Sequence, residues 1–378
     1  MAVGNADTRL STASRLRLVT SDIRRAAAQY GVSRSRVLLH LVRLWRRYGF
    51  RPGEAHAVGL SNPRLTSEQL AAAISEAELL GIQARLNPVG LTGLAEDKAM
   101  FYTYCRGVDL PIPALFGVVD KPWGWTGDGV AVRDLGDWES FFARLPVDIV
   151  VKPTGTAFGL GVRVYERTPD GFRNVESGAI ETAASLALAL TTDRYGRLVI
   201  QERLRNHPEI LRLTGTETLQ TVRVNSLVTR QGDVVLGGCL FKIVRGENVV
   251  DNIHGGLTGN FLAGVGLKDG VLLAPLQYRA SGIGLGPVSV HPLTGLRIEG
   301  FRLPWWKETL DVVVRASALF APLRTFGWDV ALTPSGPVLL EANLRWGSKN
   351  VLVTSEGEHS QVRELATLVA LLRAESAG

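Results

Sequence analysis

Residues 327–343, GWDVALTPSGPVLLEAN, form the most informative stretch of the sequence, because two strand-like runs flank the turn residues TPSGP. A hairpin centred on Ser335 would set Asp329 directly opposite Glu341. Side chains two residues apart share a face of a strand, so Asn343 would lie on the same face as Glu341. Like charges that face each other destabilise a sheet unless something lies between them.

These three side chains predict a metal site. Two carboxylates and an amide oxygen are hard oxygen ligands of the kind that Mg²⁺ or Mn²⁺ prefers. A register slipped by one residue, or a solvent-exposed pair of acids, would remove the site, and both alternatives stay open. The neighbouring residues argue against free exposure, since they are apolar: Trp328, Val330, Leu339 and Leu340.

A second candidate is VVKPTGTAFGLGV at residues 150–162. A strand-like run ends at Lys152. It is followed by a loop with many accessible backbone N–H groups, which contains Gly155, Gly159 and Gly161. Such loops wrap phosphates, with the lysine as a compact positive charge. Because the lysine precedes the glycines, neither GxxxxGK[ST] nor GxGxxG is present. A glycine-rich hairpin turn is the alternative.

The stretch 222–244, VRVNSLVTRQGDVVLGGCLFKIV, reads as a hairpin that turns at residues 231–232. A two-residue loop would set Arg223 opposite Leu240 and Lys242 opposite Thr221, so the two cations would share a face. Only seven of the 42 basic residues are lysines, so a lysine here suggests a role for a point charge. Either the two cations bind an anionic ligand, or they are ordinary solvated charges on an exposed face of the sheet.

The loop DNIHGGLTGN at residues 251–260 brings together Asn252, His254, Gly255 and Gly256. It could grip phosphate or substrate, or be a polar surface turn. No other histidine has metal-ligand spacing to His254. The sequence also has neither GxSxG nor a Cys–His motif, so a nucleophilic hydrolase has no support.

Composition indicates an ordinary globular protein. The 378 residues are 46% hydrophobic and 21% charged, which suits two or three packed units and excludes disordered, collagen-like and coiled-coil chains. No apolar run reaches membrane-spanning length, and the first residues lack a secretory h-region. The two cysteines form neither a disulfide framework nor a metal pattern. We therefore expect a cytoplasmic protein.

The first 60 residues read as helical and basic. Residues 33–48 place apolar side chains at helical spacing with arginines opposite, which predicts a docking helix: Val37, Leu38, Leu41, Leu44 and Trp45. The net charge of +6 is concentrated before residue 52, but without interleaved aromatics, so nucleic-acid binding is a minor alternative. After residue 115 short strands alternate with helices and hairpins, which favours an α+β fold over an all-parallel sheet.

Taken in order, the segments resemble the ATP-grasp superfamily, most closely its sugar-transfer-associated branch. The resemblance runs from about Glu96 to Gly347 and rests on EDKAMFYTYCRGVDLPIP, VVKPTGTAFGLGV, VIQERL, TVRVNSLV, DNIHGGL and the 327–343 hairpin. It implies an α+β fold in which two subdomains clasp ATP after a helical N-terminal region. The implied units are a basic helical region (1–95), a small subdomain with a glycine-rich flap (96–200) and a large subdomain with the metal site (201–378).

The resemblance also implies residue roles. Lys98 and Lys152 would contact phosphates, Arg223 would lie near the γ-phosphate with Lys242 beside it, and His254 would act in the loop that closes on phosphate and acceptor. The nucleotide would further contact Gly155, Gly159, Gly161, Gln201, Glu202, Arg203, Leu204, Asn252, Gly255 and Gly256. Asp329, Glu341 and Asn343 match Mg²⁺ ligands. The sequence departs from many relatives at residues 344–347, LRWG, where Arg345 and Trp346 suggest a planar or acidic substrate.

We therefore expect an ATP-dependent ligase that joins a carboxylate to an amine or other nucleophile through an acyl phosphate, releasing ADP and phosphate. A small-molecule kinase on the same fold is one alternative. A non-catalytic nucleotide-binding protein is another, although it would have a broken metal triad. The expected partners are small molecules rather than nucleic acid or a membrane span, and the oligomeric state, including a homodimer, stays open.

Overall fold

The computed structural model describes residues 12–156, 159–246, 248, 251, 256–348, 353 and 359–377, with the side chains of 12–18 and 359–361 excepted. It has the predicted mixed α+β fold, with two antiparallel sheets that are both flanked by helices. Within the described part of the chain, no helix has both the length and the hydropathy needed to cross a bilayer.

The N-terminal region is helical, as the sequence predicts. It contains α1 (Thr12–Tyr30), α2 (Arg34–Tyr48), α3 (Pro52–Ala57), α4 (Ser67–Ala71), α5 (Glu76–Leu86), a 3-10 turn (Val89–Leu91), α6 (Gly93–Glu96) and α7 (Lys98–Gly107). Together with α12 (His359–Ser376), helices α1–α5 enclose an apolar core that also includes Leu227 and Leu240 of the second sheet. The N-terminal helices therefore cover part of one face of that sheet.

Helix α2 does not bury all five of the apolar side chains that were expected to form its docking face. The Ser33 hydroxyl accepts the Arg36 backbone N–H and so begins the helix. Three of the five predicted apolar positions are buried, but Leu38 and Trp45 are exposed. Helical spacing identifies the apolar positions but does not show which of them contact another element. His40 is buried although it is polar, and its Nε2 hydrogen-bonds to the Leu60 carbonyl.

The first sheet has the strand order β3-β2-β1-β8-β4-β5-β6-β7. Helices α8 (Leu135–Arg144) and α9 (Ala183–Thr191) pack on one face through Trp138, Phe142 and Leu186. Val151 belongs to this core, so its neighbour Lys152 points to the opposite face. The strands are β1 (Leu115–Asp120), β2 (Trp123–Thr126), β3 (Ala131–Val132), β4 (Ile149–Pro153), β5 (Arg163–Thr168), β6 (Gly171–Asn174), β7 (Ile180–Glu181) and β8 (Arg197–Glu202).

The second sheet has the order β13-β12-β11-β10-β9-β14-β15. Its other face packs against α7 and α11 (Trp306–Leu319), with Phe101, Trp328 and Val313 in the shared core. A short helix α10 (Pro208–Thr214) connects the two sheets. The strands are β9 (Thr221–Val228), β10 (Val234–Ile243), β11 (Phe261–Gly264), β12 (Leu276–Tyr278), β13 (Leu285–Pro287), β14 (Thr325–Thr333) and β15 (Gly336–Asn343).

The β14–β15 hairpin has the predicted pairing but not the predicted turn. Asp329 pairs with Glu341, whereas Thr333 pairs with Gly336, so the turn contains two residues rather than five. The register shifts between Asp329 and Val330, which leaves Leu340 as an extra residue on β15. This bulge offsets the shorter turn and restores the pairing of the two carboxylates.

The β9–β10 hairpin behaves in the same way. Arg223 pairs with Leu240, as predicted. However, the Thr229 backbone N–H donates to the Asp233 carbonyl, so the loop has three residues instead of two. A register shift between Gly237 and Leu240 adds one residue to β10 and corrects the offset.

Candidate active site

A row of charged side chains crosses the second sheet. Asp329 of β14 pairs with Arg223 of β9 on one side and with Glu341 of β15 on the other. The Arg223 guanidinium contacts both Asp329 oxygens, with Nε at 2.5 Å and a terminal nitrogen at 2.6 Å. Lys242 Nζ lies 3.0 Å from Asp329 Oδ1. The predicted common face of Arg223 and Lys242 is therefore present, and Asp329 lies between the two cations.

The Asp329–Arg223 pair stays charged despite its burial. Burial by itself would raise the pKa of Asp329, but the adjacent Arg223 and Lys242 cations lower it far below its usual range. Burial likewise opposes the charge on Arg223, yet Asp329 raises the pKa of the guanidinium. Removing Asp329 would leave the Arg223 and Lys242 cations without the carboxylate that lies between them.

Asp251 is a member of this cluster that the sequence reading missed. Its Oδ2 accepts hydrogen bonds from the Thr221 backbone N–H at 2.9 Å and from the Thr221 hydroxyl. Lys242 Nζ lies 3.9 Å from its Oδ1. Burial raises the pKa of Asp251, although Lys242 opposes that shift. Its position directly before the Asn252 loop was the available signal.

Two further lysines lie near the row, Lys98 at the start of α7 and Lys152 on β4 of the first sheet. Lys98 Nζ lies 3.7 Å from Glu341 Oε2 and donates to the Thr156 carbonyl at 2.6 Å. Lys152 is buried, and desolvation together with the nearby Lys98 charge lowers its pKa to about 7, against the opposing effect of the Glu341 carboxylate. Both lysines predicted from the sequence are thus near the predicted metal face.

Tyr102 connects Lys152 to the hairpin bulge. Lys152 Nζ donates to the Tyr102 hydroxyl at 2.7 Å, and that hydroxyl donates to the Leu340 carbonyl at 2.8 Å. The sequence reading missed Tyr102, although its position four residues after Lys98 on one helix sets both side chains on the same face.

The predicted metal ligands fit a hard divalent ion by donor type. Asp329 and Glu341 face each other, and Asn343 Nδ2 donates to Glu341 Oε1 at 3.2 Å, which holds the amide beside that carboxylate. No group of three or more His, Cys, Asp or Glu suits a metal among the described residues, so the amide oxygen of Asn343 would be the third ligand. All three donors are oxygens, the ligand type that Mg²⁺ and Mn²⁺ prefer. Asp329 would then bind the ion while it also contacts Arg223 and Lys242.

The predicted nucleotide contacts at residues 201–204 lie where β8 ends. Gln201 is buried, and its side-chain oxygen has no hydrogen-bond partner among the described residues. The Glu202 backbone pairs with Ala114. Arg203 bonds to Asp148 at 3.3 Å and to Glu166 at 2.8 Å, so its guanidinium is held by carboxylates of the first sheet. Leu204 is half-buried.

The glycine loop after β4 has the conformations that glycine permits. Gly159 and Gly161 have φ angles of 73° and 77°, in the left-handed region. Gly161 also lies against the Tyr195 ring and Pro153, whereas a Cβ on Gly155 would meet no described atom within 4 Å. Among the described residues, the loop is therefore crowded at Gly161 and open at Gly155.

Some predicted site residues cannot be related to the charged row. Asn252, His254 and Gly255 lie outside the described residues. Gly256 is described, has a φ of 97°, and packs against Tyr278 of β12.

The position of Trp346 does not support the planar substrate that the sequence suggested. Its ring is buried in the core shared with the N-terminal helices, and its indole N–H donates to the Thr325 hydroxyl at 3.2 Å. It therefore has no free face on which a planar substrate could stack. Its neighbour Arg345 is exposed.

Among solved structures, the chain is similar to D-alanyl-alanine synthetase A from Vibrio cholerae, with 10% identity over 76% of this chain and 67% of that chain, at a TM-score of 0.39. It is also similar to D-cycloserine synthetase DcsG, with 16% identity over 75% and 73% of the two chains and a TM-score of 0.37. The biotin carboxylase domain of Hydrogenobacter thermophilus 2-oxoglutarate carboxylase, in complex with MgADP, ADP and bicarbonate, has 12% identity over 80% of this chain and a TM-score of 0.40. The chain spans 51% of that last structure.

No curated protein matches the sequence. The family model for sugar-transfer associated ATP-grasp proteins matches residues 81–365, which is well over half of the chain. That match begins before the first sheet and covers all strands of both sheets, including the charged row. The chain therefore belongs to the sugar-transfer-associated ATP-grasp family.

Proposed function

We propose that this protein is an ATP-dependent ligase that joins a carboxylate to an amine or similar nucleophile, with release of ADP and phosphate. One observation carries the proposal: a partly buried charged cluster between the two sheets of an ATP-grasp chain has more basic than acidic members. A net positive, water-poor site suits a triphosphate, whose negative charge it would neutralise. The basic members are Lys98, Lys152, Arg223 and Lys242, and the acidic ones are Asp251, Asp329 and Glu341.

The two sheets would have different tasks in this reaction. Lys152 of the first sheet, together with Lys98 of α7, would hold the phosphates of ATP. Arg223 and Lys242, from the second sheet, would neutralise the carboxylate substrate and the phosphoryl group that it receives. Catalysis would depend mainly on positioning and charge, which is the usual situation in phosphoryl transfer.

The reaction would proceed in two steps. A substrate carboxylate oxygen attacks the γ-phosphorus, a new P–O bond forms, and the bond from that phosphorus to ADP breaks. The lone pair of the amine then attacks the acyl carbon, and inorganic phosphate leaves as the amine loses a proton. A divalent ion on Asp329, Glu341 and Asn343 would supply charge neutralisation at the phosphate oxygens.

The organisation of the chain supports the domain division inferred from sequence. The first sheet uses residues 115–202 and the second uses 221–343, so we propose units at 1–95, 96–202 and 203–378, with the second boundary moved from residue 200 to the end of β8. We propose the cytoplasm as the compartment, because the reaction consumes ATP.

The direct test is ADP formation from Mg·ATP with hydroxylamine and pooled carboxylates. Hydroxylamine traps an acyl phosphate as a hydroxamate, so the natural amine need not be known. We expect carboxylate-dependent ADP and hydroxamate from the wild type and from the exposed-site control Lys268→Ala. We expect neither from Asp329→Ala or from Glu341→Gln, which leaves the Arg223–Asp329 pair intact. ADP with a stable phosphorylated product and no hydroxamate would establish the kinase instead.

A further inference from the structure

Helix α2 presents an apolar stripe to solvent in addition to the one it buries. Leu38, Val42 and Trp45 are spaced by four and three residues, so they adjoin on one side of the helix. Their exposed fractions are 49%, 38% and 59%, and that of the adjacent Leu39 is 70%. No element of the described chain covers this side. We call these four residues the outer stripe of α2.

The segment that carries the outer stripe is basic and has no acidic residue. Residues 34–51 contain six arginines and no acidic residue, which equals the net charge of +6 of the whole chain. The remaining residues therefore carry equal numbers of basic and acidic side chains. The five arginines on α2 are exposed, and none forms an ion pair with a described carboxylate: Arg34, Arg36, Arg43, Arg46 and Arg47.

We propose that the outer stripe and its arginines bind the surface of a membrane that contains anionic lipids. A helix lies in a membrane interface when exposed apolar side chains enter the acyl boundary and flanking arginines meet lipid phosphates. An indole ring is well suited to the headgroup level. Trp45, with Arg46 and Arg47 next to it in sequence, supplies both features on one helix.

Charge complementarity favours a lipid surface over the other occupants. A second copy of this chain, docked through the same face by two-fold symmetry, would bring arginines against arginines. Nucleic acid would satisfy the arginines through its phosphates but would leave Leu39 and Val42 against a charged backbone. An anionic bilayer gains from both the charge and the apolar side chains. This inference is independent of the proposed ligase activity.

The test is co-sedimentation of the full chain with vesicles of phosphatidylcholine alone and with added phosphatidylglycerol. We expect binding to the anionic vesicles only, weakened when salt rises from about 0.1 M to about 1 M, because screening shortens from about 10 Å to about 3 Å. The triple variant Arg43→Gln/Arg46→Gln/Arg47→Gln should weaken binding by about 10²-fold. Leu38→Ser/Trp45→Ser should also weaken it, by roughly tenfold or more.

Matched controls keep the test independent of folding. Leu188 on α9 has a similar exposed fraction of 52%, so Leu188→Ser should bind vesicles as the wild type does. All substituted positions are exposed, and thermal unfolding should be the same for every variant. The proposal is overturned if the wild type does not bind anionic vesicles, or if the stripe and arginine variants bind like the control. Light scattering that finds a dimer abolished by Leu38→Ser/Trp45→Ser would assign the stripe to a second copy instead.

Discussion

Lys152 of the first sheet donates a hydrogen bond to the hydroxyl of Tyr102 at 2.7 Å. The same hydroxyl donates to the Leu340 carbonyl of the second sheet at 2.8 Å. Leu340 is the bulge residue that allows Asp329 to pair with Glu341. A single hydroxyl thus links the buried lysine to the strand that carries two of the proposed metal ligands.

Loss of the Lys152 ammonium should impair nucleotide turnover. Lys152→Ala removes a preorganised positive charge from a buried site, and we expect ADP formation to fall by roughly 10²- to 10³-fold. Steady-state ADP release under Mg·ATP measures the effect. Lys268→Ala, at an exposed lysine, is the control and should keep wild-type turnover. Near-normal turnover by Lys152→Ala would contradict the assignment of Lys152.

The Tyr102 hydroxyl should matter for both stability and nucleotide binding. Tyr102→Phe leaves Lys152 and the Leu340 carbonyl without a buried partner, so we expect a loss of about 1–3 kcal/mol in the free energy of unfolding. We also expect a higher KM for ATP, since Lys152 is no longer positioned. Tyr104→Phe is the matched control, because the Tyr104 hydroxyl on the same helix bonds to the Leu319 carbonyl instead. Equal KM values for the two variants would show that the link has no functional role.

ATP affinity should depend on pH through Lys152. Burial and the neighbouring Lys98 charge lower the pKa of Lys152 to about 7, so the free protein loses this proton as the pH rises above 7. A bound triphosphate favours the charged ammonium and raises that pKa. Binding above pH 7 therefore takes up a proton, and the affinity for ATP should fall as the pH rises from 7 towards 9.

Calorimetric titration of ATP at several pH values, in buffers with different ionisation enthalpies, measures this proton uptake. The Lys152→Arg variant stays charged over the whole range, so its affinity should show a flatter pH dependence. An identical pH dependence in the two proteins would exclude Lys152 as the titrating group.

The glycine loop should tolerate substitution at one end only. A Cβ on Gly161 would lie 2.6 Å from the Tyr195 ring and 2.8 Å from Pro153, at a φ of 77°. We expect Gly161→Ala to lower the free energy of unfolding by about 1–3 kcal/mol, as measured by urea denaturation. At Gly155 such a Cβ would have no neighbour within 4 Å in the described part of the chain, and the residue has no left-handed φ. Gly155→Ala should therefore be much less destabilising, and the reverse order would contradict this account of the loop.

The sequence predicted local features better than long-range ones. Strand alternation and turn residues identified the hairpins, and both key pairings are present because a bulge in each hairpin offsets an error in the expected turn. A bulge depends on contacts from other elements, such as Tyr102 on Leu340, so the hairpin sequence could not reveal it. The same limit applies to α2, where periodicity marked Trp45 as apolar but not as exposed. It also applies to Asp251, whose hydrogen-bond partner Thr221 lies 30 residues away in the sequence, on β9.

An ATP-dependent ligase with this site must bind ATP together with a divalent ion in the cluster between the two sheets. The most direct measurement is calorimetric titration of ATP with and without Mg²⁺ into the wild type, Glu341→Gln and the exposed-site control Glu299→Gln. We predict that Mg²⁺ strengthens ATP binding by the wild type and by Glu299→Gln, and that Glu341→Gln loses most of this increase. ATP binding that is absent from the wild type, or equally strengthened by Mg²⁺ in Glu341→Gln, would contradict the account.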